Sequence, residues 1–429
     1  MLMSEKVRIF NTVSDFDKIL EQMDQVHLSW LNGFSIESAL YFDCFNIKQM
    51  AYDFKGLVWG YISEACLYKY VRKGTGCIAF VIPWHESRNE AYRELIRKVY
   101  STVPPKNRLY IENVKGKHLD PKIFSFPIMY LIWAFQTRKI KMEKFQRIFL
   151  LSRLHMAWMS YRNIEHLMKD CKINLCTVFC DVVPPEAFLV QSLNKKGIPT
   201  ATLQHGHFGA KERPWVFKLS RSRYFLAQGK YARKQAMLCD IDESGVIPLG
   251  MMNMIGVPQL PVKLDNGNFG LLLNGPGAKD DNIPMIQAAN SFAKRHNLKY
   301  SVRCHPSIPI ENFKNVIDKD SFLGECKKGT SMSEYISTVA FALVGNSTVF
   351  IDVMNQGKLA MRFCGPSIDI FDGIKWCKFT SVDELDMKLG RLLEDRQGTE
   401  KKILDTRAEL CCEGDVADNY RQFFKKLYD

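Results

Sequence analysis

Four short clusters hold the residues best suited to chemistry. The first is Gly345-Asn346-Ser347-Thr348. A turn of small residues feeding a helix leaves backbone N–H groups free at the positive end of the helix dipole, where an anion is held. The hydroxyls of Ser347 and Thr348 add donors, and Asp352, one turn on, is spaced to reach a ribose hydroxyl. The same turn also serves as a plain N-cap, a role that Asn and Ser fill in many helices. The second cluster is Arg303-Cys304-His305-Pro306. Arg303 can fork onto a phosphate, a charge-assisted contact of about 1.5–3 kcal/mol, and His305 can donate to a leaving phosphate. A loop histidine bonded to a backbone carbonyl is the alternative. Both clusters follow apolar runs, as does the glycine-rich turn Asn274-Gly275-Pro276-Gly277, so Gly275 joins the candidate donor-binding set.

Two further clusters offer a base. Gln204-His205-Gly206-His207 ends another apolar run, and a neutral His205 could take the proton of an attacking hydroxyl. A structural turn histidine fits the same pattern. Asp181, after the preceding run, is the rival base, or else a carboxylate capping the helix beyond Pro184-Pro185.

The elements that must position these residues alternate between strand and helix. Strands are expected at 76–83, 174–180, 198–203, 223–227, 246–249, 269–273, 299–304, 339–344 and 358–363. Helices are expected at 90–100, 147–169, 284–296, 333–337, 349–356 and 383–394. Such alternation implies parallel sheets covered on both faces, and the polar clusters fall at the strand ends where such sheets bind ligands. A stretch rich in Pro, Gly and Asn at 257–268 reads as a linker between a domain at 1–256 and a second at 269–429.

Bulk properties narrow the classes. With 46% apolar and 24% charged residues the chain is globular. Its net charge of +13 calls for an anionic partner, but no nucleic-acid reader module is present. There is no GxxxxGK[ST] and no GxGxxG with its acidic partner, which disfavours a P-loop enzyme or a dinucleotide oxidoreductase. Asp240-Ile241-Asp242 precedes a strand, the wrong edge for a metal with a nucleotide diphosphate. Thirteen scattered cysteines without a CxxC pair disfavour zinc and, with no signal peptide read at the start, predict a cytoplasmic protein. No metal and no cofactor are expected. The apolar segment 123–135 is followed by Arg138, Lys139, Lys141, Lys144, Arg147 and Arg153, opposed by Glu143. It fits docking on an anionic membrane surface, or a buried core helix followed by a solvated one.

The order of QHG at 204–206, QG at 228–229, HP at 305–306 and NST at 346–348 resembles the GT-B glycosyltransferase superfamily, particularly bacterial capsule and lipooligosaccharide enzymes. HP with the later hydroxyl pair is similar to bacterial sialyltransferases. HG followed by HP is similar to the CDP-glycerol glycerophosphotransferases. The resemblance covers about residues 172–365 and departs from both groups. The acidic DDG or EDG base motif is missing, and HFGAK stands where the second group has a TPLK-like stretch.

It implies two Rossmann-like domains with parallel sheets facing across a cleft. His205 would be the base, with His305, Ser347 and Thr348 on the phosphate. The activity implied is metal-independent, inverting transfer of a sugar from a nucleotide-activated donor to a cell-surface glycan or lipid-linked glycan, at the inner membrane face. A CDP-glycerol or CDP-ribitol polyol-phosphate transferase and a non-catalytic polysaccharide assembly factor are the alternatives. A GT-B epimerase is disfavoured because no second acid–base set is evident.

Overall fold

The computed structural model describes residues 7–8, 13–31, 33–40, 51–52, 56, 58, 61–62, 68–82, 90–115, 119–204, 206–207, 219–239, 241–257, 260–367, 369–411 and 414–428. Two strands, β1 (Val7–Arg8) and β2 (Ala51–Tyr52), form a small antiparallel pair. Helices α1 (Val13–Asp24) and α2 (Ile36–Leu40) lie between them in sequence. The first large sheet then begins. Its strands are β3 (Tyr68–Gly74), β4 (Ile78–Ile82), β5 (Arg108–Lys115), β6 (Leu175–Val178), β7 (Thr200–Leu203), β8 (Tyr224–Ala227) and β9 (Val246–Pro248). Its helices are α3 (Glu90–Ser101), α4 (Phe126–Gln136), α5 (Lys144–Met168), α6 (Glu186–Lys195) and α7 (Lys230–Met237).

The spatial order is β3-β5-β4-β6-β7-β8-β9. From β5 to β9 the neighbours are parallel. Every side chain of β4 and β6 is buried, as a sheet covered on both faces requires. The expectation of purely parallel sheets fails at one place, because β3 runs antiparallel to β5. That strand carries the charged residues Lys69, Arg72 and Lys73, which keep a sheet edge from pairing further.

The second sheet contains β10 (Phe269–Leu272), β11 (Tyr300–Arg303), β12 (Phe322–Glu325), β13 (Phe341–Val344), β14 (Leu359–Phe363) and β15 (Lys378–Phe379). Helices α8 (Asn282–His296), α9 (Met332–Ser337), α10 (Val349–Asn355) and α11 (Val382–Glu394) accompany it. All its pairs are parallel, in the order β12-β11-β10-β13-β14-β15. Succession runs outward from β10 on one side and from β13 on the other, so the order reverses between those two strands. A doubly wound sheet binds ligands at such a reversal, outside the carboxyl ends of the strands. The first sheet reverses likewise between β4 and β6.

Two last helices, α12 (Arg396–Cys411) and α13 (Val416–Lys425), cross the division at 257–268 expected from sequence. On one side Arg407 donates through Nε to Met354 O at 2.7 Å, at the end of α10. On the other, Phe424 packs edge-on to Phe80 of β4, and Tyr420 donates to Gly250 O. Asn174 in turn donates to Leu427 O at 2.8 Å. The chain's end thus belongs to the same core as the first sheet. Among the described residues no helix is long and apolar enough to cross a membrane.

Candidate functional site

The loops at the reversal of the second sheet are built from the backbone outward. Leu272 is in register with Arg303 on one side and Val344 on the other, so the residues following β10, β11 and β13 emerge together. Asn274 follows β10. Its N–H donates to Asn282 Oδ1 at 2.8 Å, and its carbonyl accepts from Asn282 Nδ2 at 3.1 Å. That bidentate clamp fixes the loop. The Asn274 carboxamide itself is 1% exposed, and among the described residues neither its oxygen nor its nitrogen finds a partner. It lies against Gly345, where a Cβ would collide with both atoms. Only glycine admits that approach.

His305 lies on Gly275 in the same way. A Cβ there would come within 2.9 Å of Cδ2 and 3.1 Å of Nε2. The Ser307 N–H donates to Nδ1 at 3.2 Å, with the Ser307 hydroxyl 2.7 Å from the same nitrogen. Nδ1 is therefore an acceptor, and the proton of the neutral ring sits on Nε2, the donor beside Gly275. Partial burial holds the imidazole below its ordinary value, which keeps that neutral form at pH 7.

The 345–348 turn has begun a helix of seven residues. Thr348 occupies the N-cap position without a side-chain capping bond, and Ser347 Oγ accepts a long contact of 3.4 Å from Val349 N–H. Asn346 turns elsewhere, its Oδ1 accepting from Ile370 N–H at 3.1 Å. Asp352 accepts from Asn253 Nδ2 at 3.0 Å, and burial pushes its carboxyl up to about 6 against that bond. Arg303 is engaged by the segment before α9. It donates to Thr330 O at 2.9 Å and Ser331 O at 3.3 Å, and lies over the Tyr335 ring. The structure therefore brings Gly275, His305 and the 345–348 turn to one edge, while Arg303, Asn346 and Asp352 tie that edge to its surroundings.

The first sheet presents its residues differently. Asp181, beyond β6, is 2% exposed, and its Oδ2 accepts from Ser220 Oγ (2.7 Å), Arg221 N–H (2.8 Å) and Ser222 N–H (2.7 Å). His205 lies outside the described residues, as does Asp240. Asp242 caps the turn before β9, its carboxylate accepting from the Ser244 N–H and hydroxyl. Gln204 holds the β7 loop, accepting from Gln228 N–H at 2.8 Å and donating to Gly206 O at 2.8 Å. Sequence reasoning gave His207 no role. It is buried against Tyr231 and Phe371, burial lowers its ring to about 3, and among the described residues its Nε2 has no partner. Tyr231 donates to Ile370 O at 2.9 Å, so these aromatics join the β7 and β8 ends to the 369–374 loop. The buried Arg362 guanidinium also holds that loop, pairing with the partly buried Asp369 and donating to Ile374 O at 2.8 Å. The HGH spacing was the available signal, but it gives two histidines and no way to tell the buried one. Among the described residues no three His, Cys, Asp or Glu side chains gather as metal ligands.

No family model matches the sequence, and no curated protein matches it either. Similarity appears at the level of structure. The chain superposes on S. aureus MnaA, solved with UDP, at a TM-score of 0.50 and 12% identity, over 82% of this chain and 97% of that one. The fold is GT-B. A candidate UDP-N-acetylglucosamine 2-epimerase from Listeria monocytogenes superposes equally, with a TM-score of 0.50, 10% identity and the same coverages of 82% and 97%. This GT-B chain thus keeps the architecture of both with little of their sequence.

Proposed function

We propose that the chain is an inverting, metal-independent glycosyltransferase. In this reading it moves a sugar from a nucleotide-sugar donor to a cell-surface glycan (capsule, lipopolysaccharide or O-antigen), lipid-linked or free, at the inner face of the cell membrane. The observation that carries the reading is the His305 ring seated on Gly275, its Nε2–H without an acceptor among the described residues, at the strand-order reversal of the second sheet. The donor's phosphates would lie there, against Nε2–H and the hydroxyls of Ser347 and Thr348. Arg303, Asn346 and Asp352 order the walls through the bonds already described. His205 is assigned the base, since Asp181 is buried and its Oδ2 already accepts three hydrogen bonds. The acceptor oxygen gives its proton to His205 and forms the bond to the anomeric carbon. The electron pair of the sugar–phosphate bond leaves with the nucleotide, whose new charge meets the preorganised donors, a contribution usually among the largest in such reactions.

The test is a thermal-shift panel of UDP, CMP, CDP, GDP and dTDP against the wild type and His305→Ala. One nucleotide at about 100 times its Kd should stabilise the wild type by roughly 2.7 kcal/mol and leave the variant unmoved. UDP heads the panel because MnaA was solved with it. No shift with any nucleotide would overturn the donor site and favour the assembly-factor reading. With a donor in hand, phosphate entering the product would mark a polyol-phosphate transferase. Conversion of the donor without acceptor would mark an epimerase, the activity for which the Listeria protein is named.

A further inference from the structure

Helix α4 and the turn before it carry an apolar stripe that the fold leaves in water. Ile128, Leu131 and Phe135 recur at helical spacing on one face, and Phe124 continues the line into the preceding turn. These four side chains are 64%, 68%, 65% and 71% exposed, in that order. The other face is fixed. Met129 and Trp133 are buried in the core, and Trp133 Nε1 donates to Ser29 O at 2.8 Å. The segment expected to dock on an anionic membrane surface, or else to form a buried core helix, thus has one face buried and one exposed. A single exposed leucine needs no explanation, but four large apolar side chains in a line do.

Charge sits at one end of the stripe. The chain leaves α4 through Arg138, Lys139, Lys141 and Lys144, all exposed, with Glu143 as the opposing charge. The Arg138 guanidinium lies 3.9 Å from the centroid of the Phe135 ring, joining the cations to the apolar line. Arg147 is not among them, because it donates to Thr137 O at 2.9 Å and Ile140 O at 3.1 Å and closes the end of α4. Eleven residues are too few to cross a bilayer, which needs about 20. An apolar face flanked by lysine and arginine is instead the pattern of a helix lying at a membrane interface.

We propose that the Phe124–Lys144 segment docks the protein on an anionic lipid bilayer. Phe124, Ile128, Leu131 and Phe135 enter the boundary between headgroups and acyl chains, and the four cations meet the anionic headgroups. The experiment is co-sedimentation of the full chain with vesicles of mixed phosphatidylglycerol and phosphatidylcholine, and with phosphatidylcholine alone. Binding is expected to the mixed vesicles only, weakening with added salt as surface charge is screened. Each cation near such a surface is worth about a fivefold factor in partitioning, so Lys139→Ala with Lys141→Ala should lower it at least tenfold. Ile128→Glu with Leu131→Glu should abolish it while leaving the melting temperature in place, since both side chains face solvent. No binding, equal binding to the neutral vesicles, or binding untouched by these variants would overturn the assignment. So would a concentration-dependent dimer lost in Leu131→Glu, which would give the face to a second copy of the chain. Vesicle binding requires neither donor nor turnover, so its outcome is separate from that of the nucleotide panel.

Discussion

Asp181 and Asn274 each sit just beyond one of the two strands between which their sheet reverses its order, β6 in the first and β10 in the second. Both are buried, at 2% and 1% exposure. Yet Asp181 Oδ2 accepts three hydrogen bonds, whereas the Asn274 carboxamide makes none among the described residues. A buried polar group without partners costs about 1–3 kcal/mol, so proteins keep few of them. One edge uses its polar residue to bind its own loops, and the other leaves a carboxamide unpaired among the described residues, against Gly345 and one residue before Gly275. Residue type alone would have suggested the reverse, with the carboxylate as the chemical group.

The sharpest way to break this comparison is Asp181→Ala. It strands two backbone N–H groups and a hydroxyl, and should cost about 4 kcal/mol in urea unfolding. The nucleotide-induced shift of the protein that still folds should be unchanged. A normal stability with lost transfer would instead make Asp181 the base. Next in size is Gly345→Ala, whose new methyl would collide with the Asn274 carboxamide. Overpacking of this kind costs about 2 kcal/mol, and here the nucleotide shift should shrink as well, because the displaced amide lies at the proposed donor edge. A fully retained shift would show that edge to be structural like the first.

The smallest effect is expected at Asp352. Its folded carboxyl is raised to about 6 from an ordinary 3.8, so the folded state binds more protons than the unfolded one between those values. Stability must then fall as pH rises from about 4 to 6. Asp352→Asn keeps an acceptor for Asn253 and removes the buried charge. It should be more stable than the wild type at pH 8 and no more stable below pH 4, read from thermal melts across that range. A variant that instead loses nucleotide affinity would return Asp352 to the ribose role its spacing suggested.

Much of the fold was legible. The strands at 175–178, 269–272, 341–344 and 359–363 match mostly apolar runs to within about two residues, because a strand buried on both faces favours such residues. The elements that escaped have mixed signals. Residues of β12 alternate between half-buried and exposed, and β5 carries Arg108, Glu112 and Lys115 because it lies one strand from the sheet edge. Helices α12 and α13 lie beyond the last element read, and their packing on the first sheet depends on contacts across 170 to 250 residues of chain.

The sequence by itself determined which residues stand at strand ends, since apolar runs stop where backbone must return to water. His305, Gly275 and the 345–348 turn follow from that rule. Only the tertiary structure decided the partners of each, because strand order joins segments far apart in the chain. The approach of Gly345 to Asn274 across some 70 residues isolates a carboxamide that no local pattern marked. The 326–331 segment engages Arg303, which the sequence placed beside His305 as its ally. Periodicity reports how a side chain faces its own element; which neighbour satisfies it is set by packing.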